Sequence, residues 1–126
     1  LQVDWSNINP QYYDAFAVVD PRVFSSYGVQ YDYGSIMHYR SDTAAINPFR
    51  PTMIPKSNEK VNLALLGQRR KLSKNDIELL NRIYCKADDC VDRNVYCGAW
   101  AVQGACTRKE NDIWMRDNCR RSCGLC

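Results

Sequence analysis

The placement of cysteine constrains this chain more than any other feature. None of its seven cysteines precedes Cys85, and six of them (Cys90, Cys97, Cys106, Cys119, Cys123 and Cys126) crowd into the last 37 of 126 residues. A segment that short falls below the roughly 40 residues at which a hydrophobic core alone usually holds a fold, so covalent or metal staples are needed. Zinc is the competing use of clustered cysteines. Paired CxxC knuckles are absent, however, and the one histidine, His38, lies far upstream, which favours disulfides. Disulfides at this density persist only in an oxidising compartment. The expected location is therefore secreted and extracellular, and the cysteine-free residues before Cys85 form a region of a different kind.

Charge narrows the partners. Residues 1–85 carry ten Lys/Arg against eight Asp/Glu, and residues 86–126 carry seven against six, for a net charge of +3. Neither half has the basic concentration of a nucleic-acid binder. The run Arg69, Arg70, Lys71 reads as a solvated face before a helix. The longest apolar run, Ala15 to Val19, is far too short to span a bilayer, so no transmembrane segment is expected. Leu1 opens neither a signal peptide nor a targeting segment, and for a disulfide-rich secreted protein this implies further sequence upstream.

Local signals are uneven. Val3, Trp5 and Ile8 read as an extended stretch that ends at the turn dipeptide Asn9-Pro10. Tyr13, Phe16 and Ala17, with a stop at Asp20-Pro21, indicate a short helix of weak periodicity. The stretch from Tyr27 to Tyr39, rich in tyrosine and glycine, reads as an ordered loop. Pro48, Pro51 and Pro55 predict an irregular, packed segment over residues 41–66. The clearest signal is a helix over about 73–84, with Ser73 and Asp76 in capping-box spacing and Ile77, Leu80, Ile83 and Tyr84 on one face. Residues 86–89 read as a linker, and Asn111 to Cys119 as a short helix. The fold class that follows is α+β with little regular structure, plus a small disulfide-rich module.

Tyr31-Asp32-Tyr33-Gly34-Ser35-Ile36-Met37-His38-Tyr39 is the most informative stretch. It resembles the SIMHY Met-turn of astacin zinc metalloendopeptidases, which belong to the metzincins. Gln2-Val3-Asp4-Trp5-Ser6-Asn7-Ile8, Gly67-Gln68-Arg69, Leu72-Ser73, Asp76-Ile77, Leu80-Asn81 and Ile83-Tyr84-Cys85 agree with the same family in order and spacing. The resemblance covers residues 1–85 and implies the C-terminal part of an astacin-like peptidase domain.

Residue by residue, it implies that Met37 forms the hydrophobic floor beneath a catalytic zinc without coordinating it. Tyr39 would be the phenol that reaches the zinc in the resting enzyme and stabilises the oxyanion during peptide hydrolysis, a role for which a positioned O–H is chemically suited. His38 is not one of the family's zinc histidines and reads as structural. Cys85 would pair with a cysteine outside this chain.

One departure is decisive. The zinc site of such enzymes needs H-E-x-x-H-x-x-G-x-x-H, and none of it is present. Glu59, Glu78 and Glu110 read as solvent-facing charges rather than a general base. One zinc ion is implied for the complete enzyme, but it is not expected to bind this chain alone, and the chain alone is expected to be inactive.

Residues 90–126 resemble the ShKT module, through Cys90-x-Asp92, Cys97, Trp100, Gly104-x-Cys106, Met115 and Cys119-x-x-Ser122-Cys123-x-x-Cys126. Spacing leaves the cysteine pairing open. The resemblance implies Cys90–Cys126, Cys97–Cys119 and Cys106–Cys123, and places Asp92 where it could pair with Arg121. Some ShKT-type peptides block potassium channels with a lysine beside an aromatic residue. Ile113-Trp114 occupies that place here, with Lys109 one helical turn earlier, so a passive appendage or protein-binding exosite is the better expectation.

Two functions follow. The first is a secreted zinc-dependent endopeptidase acting on extracellular proteins or peptides, of which this chain is the incomplete C-terminal part. The alternative is a non-catalytic secreted binding or inhibitory protein acting through the ShKT module.

Overall fold

The computed structural model describes residues 1–85 and 89–126. The expected linker, except for Asp89, lies outside the described residues. Two compact units form, one from Leu1–Val18 with Asp32–Ser73 and the other from Val19–Tyr31 with Lys74–Cys126. Regular structure is sparse, as the proline-rich, weakly periodic sequence predicts.

In the first unit, strand β1 (Gln2–Val3) pairs antiparallel with β2 (Met53–Ile54), in the register Gln2 to Ile54 and Val3 to Met53. The extended stretch expected through Ile8 is broken by a 3-10 turn over Trp5–Asn7. Asp4 causes the break, because its carboxylate accepts from the backbone N–H of Ser6 at 3.2 Å and from its hydroxyl at 2.6 Å. A side chain that satisfies a helix-start donor in this way competes with the ladder. Backbone pairing resumes where the N–H of Asn9 donates to Ala44 and that of Ile46 donates to Asn7.

Ile8 is fully buried there, a burial that contributes roughly 1.5–3 kcal/mol. Asn7 is buried beside it, and its amide is fully used. Nδ2 donates to the carbonyls of Asn47 (3.2 Å) and Arg50 (2.7 Å), and Oδ1 accepts from the N–H of Asn47 at 2.9 Å. A second 3-10 helix, Pro10–Phe16, follows, carrying Tyr13 and Phe16 edge-on to Trp5 with ring centroids 5.5 and 6.4 Å away. Segment 41–66 is less irregular than its prolines imply. It holds β2 and a short helix, α1 (Glu59–Leu63), both between prolines or beyond them, where no ring interrupts the hydrogen bonding.

The second unit contains α2 (Lys74–Tyr84), α3 (Cys97–Val102) and α4 (Asp112–Asn118). The structure joins Cys90 to Cys126, Cys97 to Cys119 and Cys106 to Cys123. Cys97, Ala105, Met115 and Cys119 form the buried centre, with Trp100 packed on it. Arg82 of α2 is the main polar tie. Its guanidinium donates to the carbonyls of Tyr27 (2.5 Å) and Ser122 (2.8 Å) and to the carboxylate of Glu78 at 2.5 Å. Glu78 keeps a side chain that is 42% exposed, as its reading as a solvent-facing charge implies, and the guanidinium one turn away orders its carboxylate. Gly28, at φ +74°, fits because a Cβ there would stand 2.2 Å from the carbonyl oxygen of Ser122.

The expected Asp92–Arg121 ion pair does not form. Asp92 accepts instead from the N–H (3.0 Å) and hydroxyl (2.7 Å) of Ser122, while Arg121 donates from Nε to the carbonyl of Cys90 at 2.8 Å. Ser122 is buried and would be left unsatisfied without the carboxylate, whereas an exposed ion pair gains little.

Candidate active site

Residues 32–39 form a string of tight turns. The side chain of Asp32 accepts from the N–H of Gly34 at 2.8 Å, and the N–H of His38 donates to the carbonyl of Ser35 at 3.1 Å. The Ser35 hydroxyl accepts from the N–H of Met37 at 3.1 Å. Such side-chain-to-backbone bonds fix a turn that has no ladder to hold it. Ser73 adds a hydroxyl donated to the other oxygen of Asp32.

A second segment braces the turn from a distance of about thirty residues in sequence. Gln68 donates from Nε2 to the carbonyl of Gly34 (2.8 Å) and to that of Lys71 (2.7 Å), while its Oε1 accepts from the N–H groups of Arg70 and Lys71. Arg69 donates from Nη1 to the carbonyl of His38 at 2.8 Å. Sequence reasoning gives neither side chain a role, although Gly67-Gln68-Arg69 carries part of the family resemblance. That match is the only signal in the chain, since Arg69 within a basic run reads as solvated. Gly67 makes the approach possible: its φ is +79°, and a Cβ would lie 2.4 Å from Cγ of Arg40.

The brace leaves the two residues singled out in the motif facing outward. Met37 is 80% exposed and Tyr39 61% exposed. His38 lies between them, with Nδ1 2.7 Å from the carbonyl of Tyr39. Beside Tyr39 opens a mainly apolar cleft of about 410 Å³, lined also by Tyr12, Phe16, Thr43, Ala44 and Met53. Next along the chain, Arg40 grips both oxygens of Asp42 at 3.0 and 3.1 Å. This holds the Asp42 carboxyl below the usual carboxylate range.

The donor set does not fit a zinc ion held by these residues alone. Among the described residues no three His, Cys, Asp or Glu side chains converge, and a zinc site needs three or four convergent ligands. The arrangement can present a phenol, a thioether surface and an apolar cleft to something that binds over them. Cys85 is exposed and unpaired in the structure. Among the described residues no helix is long and apolar enough to cross a membrane.

Comparison with known proteins shows the family. A family profile described as Astacin, a peptidase family, matches residues 1–85, and one described as "ShK domain-like" matches residues 89–126. The chain is 56% identical to zinc metalloproteinase nas-10 and 55% identical to zinc metalloproteinase nas-11, both of Caenorhabditis elegans. Each match covers all of this chain but only 23% and 22% of those proteins. Zinc metalloproteinase dpy-31 of the same organism is 42% identical over 69% of this chain and 14% of its own length. The chain thus spans about a quarter of the length of the first two relatives. It belongs to the astacin family of metallopeptidases, with a ShK-like module after the residues that carry the family match.

Proposed function

We propose that this chain is the C-terminal part of a secreted zinc-dependent endopeptidase that hydrolyses peptide bonds in extracellular proteins. Residues 1–85 would complete a peptidase domain whose zinc ligands lie elsewhere in the protein, and residues 90–126 would form an appended ShKT module. The observation that carries this reading is the braced turn: Gln68 and Arg69 fix the backbone of Gly34 and His38 while Met37 and Tyr39 remain exposed. An exposed methionine on a backbone braced in this way makes sense as a surface awaiting a partner layer. The α2 side chains Ile77, Leu80 and Tyr84, all exposed, have the same character, and Cys85 beside them would bond to a cysteine outside this chain. When bound, zinc would supply the activated water and the Lewis acid. From this chain, Tyr39 would supply an O–H for the developing oxyanion, and the cleft beside it would receive an apolar group of the substrate.

The test has two parts. Intact mass and peptide sequencing of the secreted protein should find H-E-x-x-H-x-x-G-x-x-H upstream of Leu1 and a cysteine bonded to Cys85. In that protein, Tyr39→Phe should lower kcat by about 10²–10³-fold with little change in KM or zinc content. A secreted species beginning at Leu1 would overturn the enzyme reading and favour a binding protein acting through the ShKT module. An unchanged kcat would remove Tyr39 from the chemistry.

A further inference from the structure

The second unit holds a cavity of about 350 Å³ whose charged wall is dominated by arginine: Arg22, Arg93 and Arg121 line it against one carboxylate, Asp92. Asp92 is committed to Ser122, through the N–H and the hydroxyl. Arg22 is gripped by Asp20, with the closest contact at 2.6 Å. Even with Asp20 counted, two carboxylates face three guanidiniums, and neither touches Arg93 or Arg121. The Arg93 side chain has no hydrogen-bond or ion-pair partner among the described residues. Arg121 is different, because it is anchored. Its Nε donates to the carbonyl of Cys90, and its guanidinium lies 5.7 Å from the centroid of the Tyr27 ring. Stacking and one hydrogen bond thus orient its outer nitrogens without neutralising the charge.

The backbone is arranged for this at a cost. Tyr27 adopts a left-handed conformation, φ +48°, which is uncommon for a side chain of that size. Arg82 holds it by donating to the Tyr27 carbonyl at 2.5 Å. Local strain that the surroundings enforce is a pointer to function, and here it sets an aromatic ring under a guanidinium at the edge of a concave site.

We propose that this cavity binds a sulfate ester of an extracellular sulfated polysaccharide, which would tether the protein to a matrix. Planar guanidiniums match the paired oxygens of a tetrahedral oxyanion, and a concave site with an excess of positive charge concentrates such anions. Free sulfate or phosphate would share this chemistry. The glycan is favoured because the three disulfides place the module in an oxidising compartment, where fixed sulfate esters are abundant, and because the rest of the wall, with Val91, Val95, Ser25 and Asn94, suits a ring carrying both C–H and O–H faces. The proposal is independent of catalysis, so its failure would leave the peptidase reading intact.

Calorimetry on the complete secreted protein, at about 0.15 M salt to screen diffuse attraction, would use a size-defined sulfated oligosaccharide, its desulfated counterpart and inorganic sulfate. Only the sulfated oligosaccharide should bind measurably. Arg93→Gln, an exposed substitution that spares the fold, should weaken binding about tenfold, as expected for one charge-assisted contact. Arg121→Lys should weaken it similarly through loss of the fork. Arg70→Gln, outside the cavity, should change it by less than about twofold. Equal loss with Arg70→Gln, no loss with Arg93→Gln, or no binding by the natural protein would overturn the site. Inorganic sulfate binding as tightly as the oligosaccharide would overturn the polysaccharide.

Discussion

Gln68 spans the gap to Gly34 with a single amide hydrogen bond of 2.8 Å, and through it two segments 34 residues apart share one conformation. The other bonds of the amide stay within its own loop, so its Nε2 is the only side-chain donor that Gln68 offers to the Met-turn.

Replacing that donor should be felt in stability. In Gln68→Ala the partly buried Gly34 carbonyl loses its partner, at a cost of about 1–2 kcal/mol. Gln68→Glu should cost more, because an acceptor then faces the Gly34 and Lys71 carbonyls. The order of denaturation midpoints should be natural, then alanine, then glutamate. Midpoints that leave all three proteins equal would show that the brace contributes nothing.

Gly67 and Gly104 make a controlled comparison. Both have φ near +80°, but an added Cβ at Gly67 meets the backbone and side chain of Arg40 within 3 Å, whereas at Gly104 nothing lies within 4 Å. Gly104→Ala should therefore cost only the left-handed penalty of about 1 kcal/mol. Gly67→Ala should add a steric cost of about 1–3 kcal/mol and should shift the amide resonances of residues 34–39. If both substitutions cost the same, the close approach at Arg40 is not real.

What the sequence revealed depended on range. The helix Lys74–Tyr84 was legible because three turns of periodic apolar positions and a start signal lie within one window. The helix Cys97–Val102 was not. Six residues are too few for periodicity to register, and its run Cys-Gly-Ala-Trp-Ala-Val has no propensity to form alone. The Cys97–Cys119 bridge and the packing of Trp100 hold it. At the site, Met37 and Tyr39 stood out as a contiguous motif, while the work of Arg69 and Gln68 did not. Those side chains act on carbonyls about thirty residues away, and a carbonyl leaves no trace in a sequence. The same limit produced the misplaced Asp92–Arg121 pair, since charge can be read from the chain but competition from a buried hydroxyl cannot.

Acid titration should report on the pair next to Tyr39. Arg40 hydrogen bonds are the main reason the Asp42 carboxyl sits below its ordinary value. A depressed carboxyl stabilises the fold above its unfolded pKa, about 3.9, and that contribution fades as pH falls through the lower folded value. The pair should therefore add nothing pH-dependent above about pH 5 and should lose its effect in the acid range below. The effect should be small, because both groups are partly exposed. Arg40→Gln should raise the Asp42 midpoint toward about 3.9 in an NMR titration. An unmoved midpoint would mean that the grip seen in the structure is absent in solution.

Double-mutant cycles can decide between the two partners of Asp92. Ser122 gives it two hydrogen bonds from a buried position, and bonds to a charged acceptor couple at about 1.5–3 kcal/mol. Arg121 bonds the Cys90 carbonyl instead. The cycle Asp92→Ala with Ser122→Ala should thus show coupling in that range, because each single change strands the other group while the double change strands neither. The cycle Asp92→Ala with Arg121→Gln should be additive to within about 0.5 kcal/mol. The reverse ranking would restore the ion pair that charge alone implies. It would also place Arg121 against a carboxylate, removing the excess positive charge on which the anion site depends.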